Sequence, residues 1–219
     1  MHKLRCSSKK GEAYMKRRQH FGAGTILVLC AVVFIGSVGV RSLRAADDNS
    51  EEAKVRIGLE IAPVPLNLAH KNRALVGLGS YIVNAVIGCN GCHSAGPPTQ
   101  YLPGGNPFFG QPEAINPATY LGGGRVFALT STINIVSRNL TPDHTGLPIG
   151  GDTFEEFRET IRTGVDPDQL HANLPPPFAG TLLQIMPWPE LRNMTDRDLR
   201  AIYEYLSAVP CNPNQGHVC

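Results

Sequence analysis

In the stretch GCNGCHSAGPP, residues 88 to 98, two thiols and an imidazole stand at Cys89, Cys92 and His93. One helical turn places positions i, i+3 and i+4 on one face, so all three side chains can meet the same edge of a flat object. Cys-x-x-Cys-His is the spacing of covalent haem attachment: each thiol adds to a porphyrin vinyl group to form a thioether, and the histidine ligates the iron. Paired cysteines also serve two other chemistries. A thioredoxin-like redox pair needs a βαβ setting, and half of a zinc site needs two further ligands at similar spacing; the sequence offers neither pattern. One haem c, bound through Cys89 and Cys92 with His93 on the iron, is therefore expected.

An iron held by His93 either takes a sixth ligand or keeps an open position, and that choice separates electron transfer from catalysis. Beyond the first 46 residues the methionines are Met186 and Met194, and the remaining histidines are His70, His144, His171 and His217. Met194 directly precedes Thr195, the cap of the last predicted helix, where an apolar staple is the ordinary role. Met186 stands in QIMPWPEL, a loop fixed by proline and suited to holding a thioether against a metal, so it is the expected sixth ligand. A neutral thioether favours ferrous iron and raises the potential relative to a second histidine. His144 and His171 are expected in loops, and either becomes the substitute ligand if Met186 is not bound.

The elements that must position these residues read mainly as helices. From Asn72 to Val86, Leu75, Leu78, Ile82 and Ala85 recur at helical spacing, while Gly77 and Gly79 mark a close approach of something bulky. In GDTFEEFRETIRTG, Asp152 is the expected cap, Glu155 completes a capping box, and Phe154, Phe157 and Ile161 share a face up to Gly164. In NMTDRDLRAIYEYLSAVP, Thr195 caps a helix whose buried stripe is Leu199, Ile202, Leu206 and Val209, stopped by Pro210. Ser94 to Gly150 holds nine glycines and eight prolines, which leaves room for at most one short hairpin, in RVFALTSTINIV. A loop that long needs an internal object to pack on.

Charge and hydropathy divide the chain. Residues 1–46 carry nine Lys or Arg against Glu12 alone, net +8, and residues 47–219 carry eleven basic and seventeen acidic side chains, net −6. An acidic body excludes a nucleic-acid binder, which needs clustered positive charge. Phe21 to Val40 contains no charged residue, and twenty such residues match a membrane crossing. The expected organisation is a basic cytoplasmic segment (1–20), a membrane anchor or signal sequence (21–40), a linker and extended arm (41–69, with Pro63 and Pro65), a haem domain (70–210) and a tail (211–219). Cleavage after Ala45-Ala46 is the alternative to an anchor, the paired Arg17 and Arg18 fit a twin-arginine signal poorly, and Cys30 lacks the small residue before it that lipidation requires. In either case the positive-inside rule places residues 47–219 on the outer, periplasmic side. There Cys211 and Cys219, the exported pair that haem does not use, are expected as a disulfide; a metal site with His217 would lack ligands.

Taken together, the motif, the Met-Pro loop and the Tyr205-Leu206 pair in the last helix resemble the class I mono-haem c-type cytochromes over residues 72 to 210. SRNLTPDHTG, MPWPELRNMTD and LRAIYEYLSAVP are similar to the cytochrome domains or subunits of bacterial periplasmic dehydrogenases. The resemblance implies a mainly α fold of a few helices wrapped round one covalent haem, with the last helix crossing the first at a glycine, Gly79. It also implies that a carbonyl near Pro97 or Pro98 accepts the His93 N–H, and that Trp188, Arg138 and Asn139 neighbour the propionates. The implied function is single-electron transfer between a donor dehydrogenase or membrane complex and an acceptor oxidase or reductase, with no catalysis of its own. The alternative is a haem enzyme or gas sensor with an open sixth position; no second Cys-x-x-Cys-His and no acid-base group near Met186 in sequence support it.

Overall fold

Helices dominate the described residues, 50–166, 168 and 174–219, of this computed structural model. In chain order they are α1 (Glu51–Ile61), α2 (Arg73–Tyr81), α3 (Pro97–Gln100), α4 (Phe154–Thr163), α5 (Trp188–Leu191) and α6 (Asp196–Leu206), with two strands, β1 (Val126–Ala128) and β2 (Asn134–Val136), between α3 and α4. The apolar segment 21–40 lies outside the described residues, and among those described no helix is long and apolar enough to cross a membrane.

Residues 51–61, expected as linker, are helical. Ser50 Oγ accepts the Ala53 N–H at 3.1 Å, and Glu51 and Glu52 place negative charge where the helix dipole favours it. In the described part of that arm, residues 62–69, around Pro63 and Pro65, are neither helix nor strand. Arg197 of α6 pairs with Glu51, tying the start of α1 to the last helix.

Helix α2 begins where Asn72 Oδ1 accepts the Ala74 and Leu75 N–H groups, and continues through a π-helical turn, Ile82–Ile87. Gly88, at φ +71°, ends it in the left-handed region. The glycines of this helix admit other helices: a Cβ on Gly58 of α1 would strike the Gly77 carbonyl, and one on Gly79 would strike the Ala201 carbonyl of α6. The crossing of α2 and α6 at Gly79 therefore follows the resemblance. It buries Val76, Val83, Leu199, Tyr205 and Leu206 almost completely, and each large apolar side chain so buried contributes roughly 1.5–3 kcal/mol. A polar knot closes the contact: Tyr120 and Tyr205 hydroxyls lie 2.7 Å apart, Tyr120 donates to Asn84 Oδ1 (2.6 Å), and Asn84 Nδ2 donates to Tyr205 (3.1 Å).

In α4 the cap is Thr153 rather than Asp152, and the capping box closes on Glu156: Thr153 Oγ1 accepts the Glu156 N–H while the Glu156 carboxylate accepts the Thr153 N–H. The one-residue shift frees Asp152 for another role. Thr195 caps α6 as expected, and Leu199, Ile202, Leu206 and Val209 are buried.

The Gly/Pro-rich loop does contain the expected hairpin, with β1 and β2 paired antiparallel (Phe127 opposite Ile135). It packs on the Cys-x-x-Cys-His turn: Leu121 N–H donates to Asn90 Oδ1 (3.0 Å), Gly123 N–H to the His93 carbonyl (2.9 Å), and Arg125 to the Gly91 carbonyl. From the far side it is clamped by the tail. The disulfide Cys211–Cys219 is formed, Asn139 Nδ2 donates to the Asn212 carbonyl (2.7 Å), and Gln215 Nε2 donates to the Gly122 and Ser137 carbonyls (3.1 Å each).

Candidate cofactor site

After Gly88 the chain makes a single tight turn, Cys89–Gly91, in which both the Cys92 and His93 N–H groups donate to the Cys89 carbonyl (3.1 and 2.9 Å). That turn brings Cys89, Cys92 and His93 onto one wall of a cavity of about 210 Å³. Other walls come from the hairpin and two of the expected helices: Phe127, Ile135 and Val136 of the hairpin, Phe157 and Ile161 of α4, and Leu199, Ile202 and Leu206 of α6. Met186 and Met194 both line it. So the four side chains expected to hold haem, from positions 89 to 186, border one largely apolar space.

The electrostatics suit a neutral, metal-ready imidazole. His93 Nδ1 lies 2.8 Å from the Arg138 carbonyl, to which its N–H donates, so Nε2 keeps its lone pair. Burial, first, and the Arg138 charge push His93 below its ordinary pKa, against the opposing effect of that hydrogen bond. Cys89 and Cys92 are free thiols, and burial drives the Cys89 thiol up to about 12, with Cys92 adding to the effect. Two reduced thiols, a neutral imidazole with one free nitrogen, a thioether and apolar walls fit a covalently held haem.

The acceptor for His93 is thus Arg138 and not a carbonyl beside Pro97 or Pro98. Those prolines open the short helix α3 and are exposed, and the Gly96 carbonyl ahead of them accepts from Thr99 and Gln100. Of the three residues expected near propionates, only Arg138 lines the cavity. Trp188 Nε1 donates to the Leu183 carbonyl and its ring covers Gly164; Asn139 is buried against the tail.

Arg138 also gathers carboxylates that the sequence did not mark as part of the site. Its Nη2 lies 2.9 Å from Asp166 Oδ1 and 2.8 Å from Asp168 Oδ2, and its Nη1 3.7 Å from Asp152 Oδ2. Asp152 and Asp166 line the cavity. The Asp152 carboxyl is raised to about 6, by burial first and then by Asp168, Glu156 and Asp166, with Arg138 opposing. These contacts join residues far apart in sequence, and only the TGVDPD turn, with two acids after a helix-ending glycine, hinted at them.

His144 is exposed and 3.8 Å from its neighbour Asp143; His171 lies outside the described residues. His217 Nε2 donates to the Pro142 carbonyl (3.0 Å), and both tail cysteines are spent in the disulfide, so no metal site forms there. Among the described residues no three His, Cys, Asp or Glu side chains cluster to hold a metal ion.

No family model matches the chain. It is 31% identical over 134 residues to the gluconate 2-dehydrogenase cytochrome c subunit of Pantoea cypripedii, covering 61% of this chain and 23% of the relative. It is 32% identical over 133 residues to the cytochrome c subunit of the quinone alcohol dehydrogenase of Gluconacetobacter polyoxogenes (60% and 21%), and 27% identical over 139 residues to the fructose dehydrogenase cytochrome subunit of Gluconobacter japonicus (63% and 22%). The chain spans about a quarter of the length of the curated relatives it matches. Over about three fifths of its length the chain is thus similar to the cytochrome c subunits of bacterial dehydrogenases.

Proposed function

We propose that the protein is a single-electron carrier with a class I cytochrome c fold, built round one haem c and working on the periplasmic side of the inner membrane, to which residues 21–40 anchor it. The observation that carries the reading is the convergence of Cys89, Cys92, His93 and Met186 on one apolar cavity. When bound there, haem supplies reversible one-electron chemistry between ferric and ferrous iron.

The chain's own residues do the rest. Cys89 and Cys92 tether the group through thioethers, and His93, its Nδ1–H fixed by the Arg138 carbonyl, presents Nε2 to the metal. Met186 would supply a thioether as the second protein ligand, which would raise the potential and deny the metal to peroxide and gases. Met194 borders the same cavity, so the choice between the two methionines rests on the Met-Pro loop: the Trp188 N–H donates to the Met186 carbonyl (2.8 Å) and fixes the backbone there. Leucines and isoleucines of α4 and α6 exclude water, which favours outer-sphere transfer with little reorganisation. Similarity to dehydrogenase cytochrome subunits supports a dehydrogenase as electron donor, with a membrane or soluble redox protein as acceptor.

The test is retention of haem by the denatured, acid-acetone-extracted polypeptide, read as pigment and added mass. One haem per chain is expected, lost when Cys89 and Cys92 are both replaced by Ala. Haem that extracts freely from the unaltered protein rejects the reading.

A further inference from the structure

We propose that Asp166, acting through Arg138, is a positioning residue for both His93 and Met186. The inference rests on the ligand assignment above and adds to it a strut between the two ligand segments.

Arg138 meets His93 through its backbone: the carbonyl accepts the imidazole N–H at 2.8 Å. Its guanidinium, only 19% exposed, reaches away to Asp166 Oδ1 at 2.9 Å, and the Asp166 side chain is 4% exposed. Asp166 in turn belongs to the segment that delivers Met186. Its N–H donates to the Thr181 carbonyl (3.0 Å), Val165 and Leu182 form an antiparallel bridge, and the Leu183 N–H donates to the Gly164 carbonyl (2.8 Å). From Leu183 the chain reaches Met186 in three residues. A buried ion pair therefore joins the residue whose carbonyl orients His93 to the bridged segments that lead to Met186.

The neighbouring acids do not duplicate this link. Asp168 contacts the same Nη2 but is 53% exposed, and Asp152 stands 3.7 Å away, beside α4 and not on the Met186 segment. A charge-assisted pair shielded from water holds geometry better than an exposed one, and partners one shell out from a metal ligand characteristically set its orientation.

The test uses the full-length matured protein and reads two properties of the methionine side. These are the upfield-shifted methyl resonance of a ligated methionine in the ferrous form, and the rate of carbon monoxide binding. Asp166→Ala is expected to weaken or broaden the resonance and speed carbon monoxide binding on the order of tenfold, with His93 still bound. Asp166→Asn, which keeps an acceptor oxygen but no charge, is expected to show a smaller change of the same sign. Should Asp166→Ala fail to mature, Arg138→Lys keeps the carbonyl and the charge but loses the planar fork, and the same acceleration is expected. Natural carbon monoxide kinetics in Asp166→Ala or in Arg138→Lys overturn the proposal. So do equal effects of Ala and Asn at position 166, which would reduce the role to charge alone. A natural protein without the methyl resonance overturns the Met186 assignment itself, and this inference with it.

Discussion

Gly79 of α2 and Ala201 of α6 approach so closely that a Cβ on Gly79 would overlap the Ala201 carbonyl and come within 2.8 Å of Tyr205 Cβ. The obstruction is backbone, which cannot rotate aside. Gly79→Ala should therefore cost about 1–3 kcal/mol or more by overpacking, seen as a lower denaturation midpoint of the haem-loaded protein. Because α6 lines the cavity and the chain runs from α2 through Ile82–Ile87 into the Cys89 turn, haem incorporation should fall as well.

The Tyr120–Tyr205 pair is a second point of strain-free but unforgiving packing. Both hydroxyls are buried, and Asn84 serves both of them. Tyr205→Phe should cost about 0.5–1.5 kcal/mol, the net worth of a hydrogen bond, since Asn84 Nδ2 loses Tyr205 but keeps the Ser80 carbonyl and hydroxyl. The double change Tyr120→Phe with Tyr205→Phe should cost less than the sum of the single changes, which a double-mutant cycle on urea midpoints would measure. Additive values would show that the network is not cooperative.

Stability should also depend on pH through Asp152. Its folded-state pKa is raised from 3.8 to about 6, so between those values the folded chain holds a proton that the unfolded chain has released. Stability should accordingly fall as pH rises through that window. Arg138 faces Asp152 and opposes the shift, while Asp166, Asp168 and Glu156 reinforce it. In Asp152→Asn the urea midpoint should vary less across the window; an unchanged slope would remove Asp152 as the cause.

The tail disulfide closes a loop with a sequence separation of eight. A loop that short contributes about 2–3 kcal/mol by restricting the unfolded chain. Because Asn212 and Gln215 within it hold the Gly/Pro-rich loop, Cys211→Ser with Cys219→Ser should loosen residues near Gly122 and Ser137 before it loosens α6, as hydrogen exchange would show. Both cysteines of the unaltered protein should resist thiol labelling until reduced.

Local signals made part of this structure legible in advance. Thr195 with the Leu199, Ile202 and Leu206 stripe marks α6, and Asn72 with the glycine-bearing repeat marks α2, because caps and periodicity act within a few residues. Helix α1 escaped notice because its acidic start and the prolines after it resembled a linker, although Ser50, Glu51 and Glu52 are an ordinary helix opening. The partner of His93 was not legible at all. Arg138 lies 45 residues away across a segment with no period, and its position is decided by the Leu121, Gly123 and Gly124 contacts and by the tail, none of which leaves a pattern in the sequence. Asp166 was hidden for the same reason: its placement depends on its hydrogen bond to Thr181 and on the isolated bridge between Val165 and Leu182.

A haem held between His93 and Met186, as proposed, would show itself in the ferric absorption spectrum at long wavelength. The unaltered protein should show the weak sulfur-to-iron band. Met186→Ala should lose the band, with a lower potential and ready carbon monoxide binding in the ferrous form, whereas Met194→Ala should keep it. A natural protein that lacks the band and binds carbon monoxide readily, or a band that survives Met186→Ala and vanishes in Met194→Ala, would contradict the assignment.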